Sequence, residues 1–133
     1  MKKLVSIILI TLVAGCATAP SENEVTLRRM ISESIPVCTS PKECEVKWAA
    51  ARSWIIQNAG WKLQHVQPDF METYNSINSS TRLAVRVVKE PLQNGGYKIT
   101  ATVWCDNWIS CYPDKLDALL SFNNTVNGSW KTQ

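Results

Sequence analysis

From Ser40 onward the chain switches between two hydrophobic periods, and the switches mark its elements. Cys44, Trp48, Ala51, Ile55 and Ala59 recur at spacings of four, three, four and four, which places them on one face of a helix. Ser40-Pro41-Lys42-Glu43 supplies its start: a hydroxyl to cap, a proline at the first helical position and a glutamate three residues after the cap to bond back. Asn58 and Gly60 offer the stop, glycine through the left-handed conformation that closes a helix. Trp48 lies on the apolar stripe and reads as core, with a ligand-stacking role as the alternative.

After Gly60 the period becomes two. Trp61, Leu63 and His65 alternate with Lys62, Gln64 and Val66, and residues 70–75 continue as strand after Pro68-Asp69, where a bend or bulge is expected. A polar loop over 75–81 precedes a strand over 82–89, in which Leu83, Val85 and Val87 oppose Ala84, Arg86 and Val88. Gln93-Asn94-Gly95-Gly96 is turn chemistry, in a loop that Pro91 and Leu92 make longer than a two-residue hairpin. The clearest strand spans 97–105, with Tyr97, Ile99, Ala101, Val103 and Cys105 on one side. A loop over 106–113 leads to a last helix. Asp114 or Tyr112 could cap it, Leu116, Leu119, Leu120 and Val126 form its stripe, and Asn127-Gly128 is the expected stop, leaving Trp130 in a tail.

Ahead of these elements, Ser21-Glu22-Asn23-Glu24 has the capping-box pattern, and Leu27, Met30, Ile31 and Ile35 recur at helical spacing. Residues 22–34 therefore read as a short helix ended by Pro36, or as a disordered spacer, since the stripe is thin and the segment polar. The order helix, strands, helix predicts an α+β fold: an antiparallel sheet of three to four strands with two helices packed on one face.

The first residues carry a different signal. Lys2-Lys3 precede an apolar run from Leu4 to Ala14, broken only by Ser6 and Thr11, and Leu12-Val13-Ala14-Gly15 leads straight into Cys16. Charged, apolar and small-residue regions in that order form a secretory signal peptide, and the run is short for a membrane span, which takes about 20 apolar residues. The stretch resembles the lipobox of bacterial lipoprotein precursors. The resemblance implies cleavage before Cys16, a diacylglyceryl thioether on its sulfur and acylation of the new amine. It divides the chain into a leader (1–15), a lipidated N-terminus with a tether or short helix (16–36) and one periplasmic domain (37–133). The lipid bilayer is then a partner through Cys16. Ala17, where inner-membrane lipoproteins often carry Asp, implies the periplasmic face of the outer membrane. The helix-and-sheet layout is similar to the helix-grip domains in small lipoproteins of envelope assembly machines, a likeness that does not carry function with it.

That compartment changes the reading of the cysteines. Five cysteines less the lipidated one leave Cys38, Cys44, Cys105 and Cys111, an even number where disulfides persist. Four cysteines allow three pairings, and the equal spacing within 38–44 and 105–111 favours two local bridges. Zinc is not expected, because the spacing is too wide and His65 is the single histidine. The chain carries 14 Lys and Arg against 11 Asp and Glu. Loss of Lys2 and Lys3 leaves a net charge of about +1, too little to neutralise phosphates, so nucleic acid is not an expected partner.

No catalytic set, cofactor or metal is expected. His65 has no acid that the sequence can pair with it, no serine lies in a nucleophile elbow, and Gly95-Gly96 belongs to a hairpin rather than a phosphate loop. Asp69, Glu72, Asp106 and Asp114 are carboxylates without a defining arrangement. The expectation is a protein-interaction module or accessory subunit of an envelope complex, or alternatively a binder of peptidoglycan, another glycan or a small envelope ligand. The candidate site is the loop from Cys105 to Pro113. There Trp108 and Tyr112 read as exposed anchors with Asp106 and Asn107 as polar rim contacts. The opposed reading folds Trp108 down over the open end of the core, with Asp106 and Asn107 merely making the turn.

Overall fold

The computed structural model describes residues 19–131; the leader and Cys16 lie outside the described residues. Hydroxyl caps start the first two helices. α1 (Glu22–Glu33) begins at Ser21, whose Oγ accepts from Glu24 N at 3.2 Å. After the two-residue strand β1 (Val37–Cys38), α2 (Pro41–Asn58) begins at Ser40, whose Oγ accepts from Glu43 N at 3.3 Å. The Glu43 carboxylate bonds back one residue further than a capping box predicts, accepting from Thr39 N at 2.8 Å and from Thr39 Oγ1 at 3.1 Å. Four strands follow, β2 (Leu63–Val66), β3 (Phe70–Thr73), β4 (Ala84–Pro91) and β5 (Tyr97–Trp104), and α3 (Lys115–Lys131) ends the fold.

β2 to β5 form an antiparallel meander, and β1 adds to the free side of β5, giving the order β1-β5-β4-β3-β2. The α+β antiparallel class is as expected, with five strands where three to four were expected and three helices where two were. Pro68 falls in the β2–β3 turn, closed by Gln67 N donating to Phe70 O at 2.7 Å, and the register shift lies earlier, between Leu63 and His65. Gly95, at φ 85°, turns the β4–β5 loop.

Leu83, Val85, Val87, Ile99, Val103 and Met71 form one core with Ala51, Trp54 and Ile55 of α2 and Ala118, Phe122 and Val126 of α3. α2 and α3 thus cover one face of the sheet, and each fully buried Ile, Val or Phe there contributes about 1.5–3 kcal/mol. The core-facing alternation of β4 ends at Lys89, whose Nζ lies 5.1 Å from the ring centroid of half-buried Trp48 and 5.4 Å from that of Tyr97. The opposite face is wet: Arg86 lies over Phe70 and Trp104 and pairs with Glu72 at 2.6 Å.

Three helical expectations are corrected. Trp54, off the expected α2 stripe, is buried because it fills the seam with α3: its Nε1 donates to Ser121 Oγ at 3.1 Å and its ring stands edge-on to Phe122. Gly60 does not close α2 in the left-handed region; Ala59 is the cap, in extended backbone. Gly60 is instead needed for close approach, since a Cβ there would lie 2.4 Å from Arg82 Cβ. α3 runs through Asn127-Gly128 to Lys131 and carries Trp130 within it, because Asn127 spends its amide on α1 rather than on its own helix end. Its buried line is Ala118, Phe122 and Val126, while Leu116, Leu119 and Leu120 are half-buried flanks. Asp114 is the α3 cap, its Oδ1 accepting from Leu116 N at 2.8 Å.

The segment read as helix or spacer is helix, and it is docked. Asn123 Nδ2 donates to Ile31 O at 3.0 Å and to Ser34 Oγ at 3.2 Å, and Asn127 Nδ2 donates to Ser34 O at 2.7 Å. The other half of α1, through Asn23, Glu24, Leu27 and Arg28, borders a groove with Asp114, Lys115 and Leu119. α1 therefore runs parallel to α3, with both N-termini at one end of the domain.

Candidate functional site

β5 runs into Cys105, and a bridge to Cys111 closes the loop that leads on to α3. Inside it Asn107 Oδ1 accepts from Ile109 N at 3.0 Å and Ser110 N at 3.1 Å, a side chain standing in for a backbone turn. The loop is then locked to loop 74–83. Asn78 and Ser79 adopt positive φ, 59° and 54°, and Ser79 meets loop 105–113 through both backbone groups. Its N–H donates to Asp106 Oδ2 at 2.9 Å, and its carbonyl accepts from Asn107 Nδ2 at 2.8 Å. Buried Ser76 accepts from Asp106 N at 3.0 Å and donates to Arg82 O at 3.1 Å. Tyr112 N donates to Thr81 O at 2.8 Å, ahead of a cis Tyr112-Pro113 bond.

Asp106 and Asn107 therefore make the turn and staple it. The reading that folded Trp108 over the core is overturned: Trp108 is 90% exposed, Tyr112 79% and Ile109 73%. The reason is local. With Asn107 and Asp106 held against Ser79, the turn points outward, and the short span between the bridged cysteines leaves Trp108 at its apex. Sequence reasoning missed that Tyr74 and Ile77, on the partner loop, are also open to solvent. Two apolar side chains among the polar residues of 74–82 were the available signal. Beside them a groove of about 600 Å³ is lined by Trp61, Lys62, Gln64, Tyr74, Asn75, Ile77 and Arg82. Trp61 Nε1 donates to Arg82 O at 3.3 Å and Trp104 Nε1 to Asn75 Oδ1 at 2.6 Å, fixing two of its walls.

The first bridge, Cys38–Cys44, stands elsewhere and differs in kind. Both sulfurs belong to buried residues, and beside them Lys47 Nζ donates to Val37 O at 2.6 Å and pairs with Glu43 Oε1 at 2.8 Å. The hydrogen bond from Lys47, and then the one from Thr39 N, holds the Glu43 carboxyl below the usual carboxylate range. This cluster fastens β1 to α2, and a groove of about 370 Å³ lined by Thr39, Ser40, Pro41, Cys44, Glu45, Lys89 and Tyr97 lies beside it.

The paired-loop end can offer apolar contact, ring stacking and hydrogen bonds. His65 is exposed on β2, and among the described residues no group of three His, Cys, Asp or Glu side chains could hold a metal ion. No described helix is long and apolar enough to cross a membrane. No family model, curated protein or solved structure matches the chain.

Proposed function

We propose that the chain is a lipid-anchored lipoprotein of the outer membrane's periplasmic face, working as an interaction module or accessory subunit of an envelope complex. The paired-loop end is its docking surface, with Tyr74, Ile77, Trp108, Ile109 and Tyr112 as apolar anchors. The observation that carries this reading is the rigid presentation of those side chains. A bridge and the Ser79 staple order the loops before binding, which reduces the conformational entropy that docking removes. Aromatic anchors held this way are the side chains on which interface energy concentrates.

A photo-crosslinking residue placed at Ile77 in cells, with one at exposed Lys42 as control, next to Pro41 that shares a groove with Gly95 of the β4–β5 turn, tests it. The expected result is capture of one envelope protein from position 77 and not from 42. Equal labelling from the two positions would remove the loops from the interface.

The groove beside Trp61 favours a second reading, a glycan or small-ligand binder. Trp61 and Tyr74 offer faces for a sugar ring, and Gln64, Asn75, Lys62 and Arg82 offer partners for hydroxyls. Titration of tryptophan fluorescence with peptidoglycan fragments checks it, a saturable change being the expected result for a glycan binder.

A further inference from the structure

The direction of α1 bears on what the exposed disulfide loop touches. Asn23 and Glu24 border the same groove as Asp114 and Lys115, two and three residues beyond Tyr112. The start of α1 and the loop carrying Trp108 are therefore at one end of the domain. Cys16 precedes Glu22 by six residues. Fully extended, six residues reach about 20 Å. A domain of this length has a radius of gyration near 13 Å, so the opposite end, with the β4–β5 turn, lies beyond that reach. A membrane holding Cys16 meets the Trp108 end first.

The tip suits that neighbour. From Asn107 to Pro113 no residue is charged, and Trp108, Ile109 and Tyr112 are all largely exposed. Trp and Tyr pair an apolar ring with one polar group, and they concentrate where hydrocarbon meets headgroups. Of the two flanking carboxylates, Asp106 is turned back onto Ser79 and Asp114 caps α3 through Leu116 N. We propose that Trp108, Ile109 and Tyr112 seat in the bilayer interface as a second, protein-borne contact beside the acyl chains. They orient the domain so that Tyr74, Ile77 and the Trp61 groove are left to face the protein partner. The inference rests on the lipoprotein reading and narrows the protein-docking surface to Tyr74, Ile77 and the Trp61 groove, giving Trp108, Ile109 and Tyr112 to the bilayer.

The test is fluorescence of the mature chain on phospholipid vesicles containing lipids brominated near the headgroup, a quencher of tryptophans at that depth. Two samples are compared: chain purified from membranes, and unlipidated mature chain coupled through the Cys16 thiol to a maleimide lipid. Quenching is expected in both, and most of it should disappear in Trp108→Phe, which retains the other five tryptophans. Ile109→Ser with Tyr112→Ser should reduce it as well. Equal quenching with and without Trp108, or none on the coupled chain, overturns the proposal. In the second case, crosslinks from position 108 in cells that land on protein would give the tip to a protein partner instead. Mass spectrometry of the N-terminal peptide tests the anchor separately. A Cys16 without acyl groups removes the lipoprotein reading even where the coupled chain is quenched.

Discussion

Two bridges close loops of equal sequence separation, six residues each, in opposite surroundings. Cys38–Cys44 is buried beside a charge pair and holds a short edge strand to a helix. Cys105–Cys111 is half-buried, with Cys111 against the edge of the core, and holds three apolar side chains out in solvent. Around the first, packing and the Lys47 hydrogen bonds already fix the chain, so the bridge reinforces an ordered region. Around the second, Cys111 and the bond to Ser76 reach the interior, and covalent closure with the Ser79 staple fixes the rest of the loop. Equal spacing thus tells which cysteines pair and leaves open what the pairing is for.

The largest expected effect lies in the buried region. Lys47→Ala leaves the nearly buried Glu43 carboxylate without its cation and Val37 O without its donor. Breaking one side of such a pair costs about 3–5 kcal/mol, measurable by urea unfolding. A loss below about 1 kcal/mol, the range of an exposed pair, would place this cluster on the same footing as the surface loop.

Replacing the cysteines pairwise by serine separates the bridges directly. Loop closure of this length is worth roughly 2 to 2.5 kcal/mol in the chain-entropy model. Cys105→Ser with Cys111→Ser should lose about that much or less. Cys38→Ser with Cys44→Ser should lose more, because two hydroxyls then replace sulfurs at buried positions. Equal losses in the two variants would erase the proposed difference.

Acid sharpens the comparison from another side. A carboxylate held below its ordinary pKa stabilises the fold above the unfolded value, about 4.3 for Glu, and that stability is lost as pH falls through the lower folded value. Wild type should therefore exceed Glu43→Gln in unfolding free energy at pH 7, and the gap should close below the usual carboxylate range. A gap unchanged at pH 3 would show that ionised Glu43 is not what stabilises β1.

How far the sequence spoke differs between the same two regions. The alternation of Tyr97 to Trp104, the cap at Ser40 and the local pairing of cysteines are neighbour-to-neighbour signals, and each has its counterpart in the structure. β1 has two residues, too few to show a period, and exists through Val37 and Cys38 pairing with Lys98 and Tyr97 sixty residues away. Lys47 and Trp54 carry no local mark of burial either, since their partners Val37 O and Ser121 come from other elements. In the site, Trp108 and Tyr112 stood out as apolar residues in a short loop. Tyr74 and Ile77 did not, because the link from Ser79 to Asp106 and Asn107 joins positions 27 and 28 residues apart.

The smallest expected effect is the most specific to the surface bridge. Trp108→Ala removes the bulkiest kind of side chain from a position where it is almost wholly solvated, so unfolding free energy should change by less than about 0.5 kcal/mol. Deleting a buried tryptophan costs about 3–5 kcal/mol, and Trp54→Ala, with its bond to Ser121 and its contact on Phe122, is the matched control within the core. Urea unfolding of both variants should separate them by several-fold. Were Trp108→Ala to approach Trp54→Ala, Trp108 would be packed in solution and unable to serve as an anchor. The surface bridge would then be a second fastening of the core rather than the mount of a docking tip.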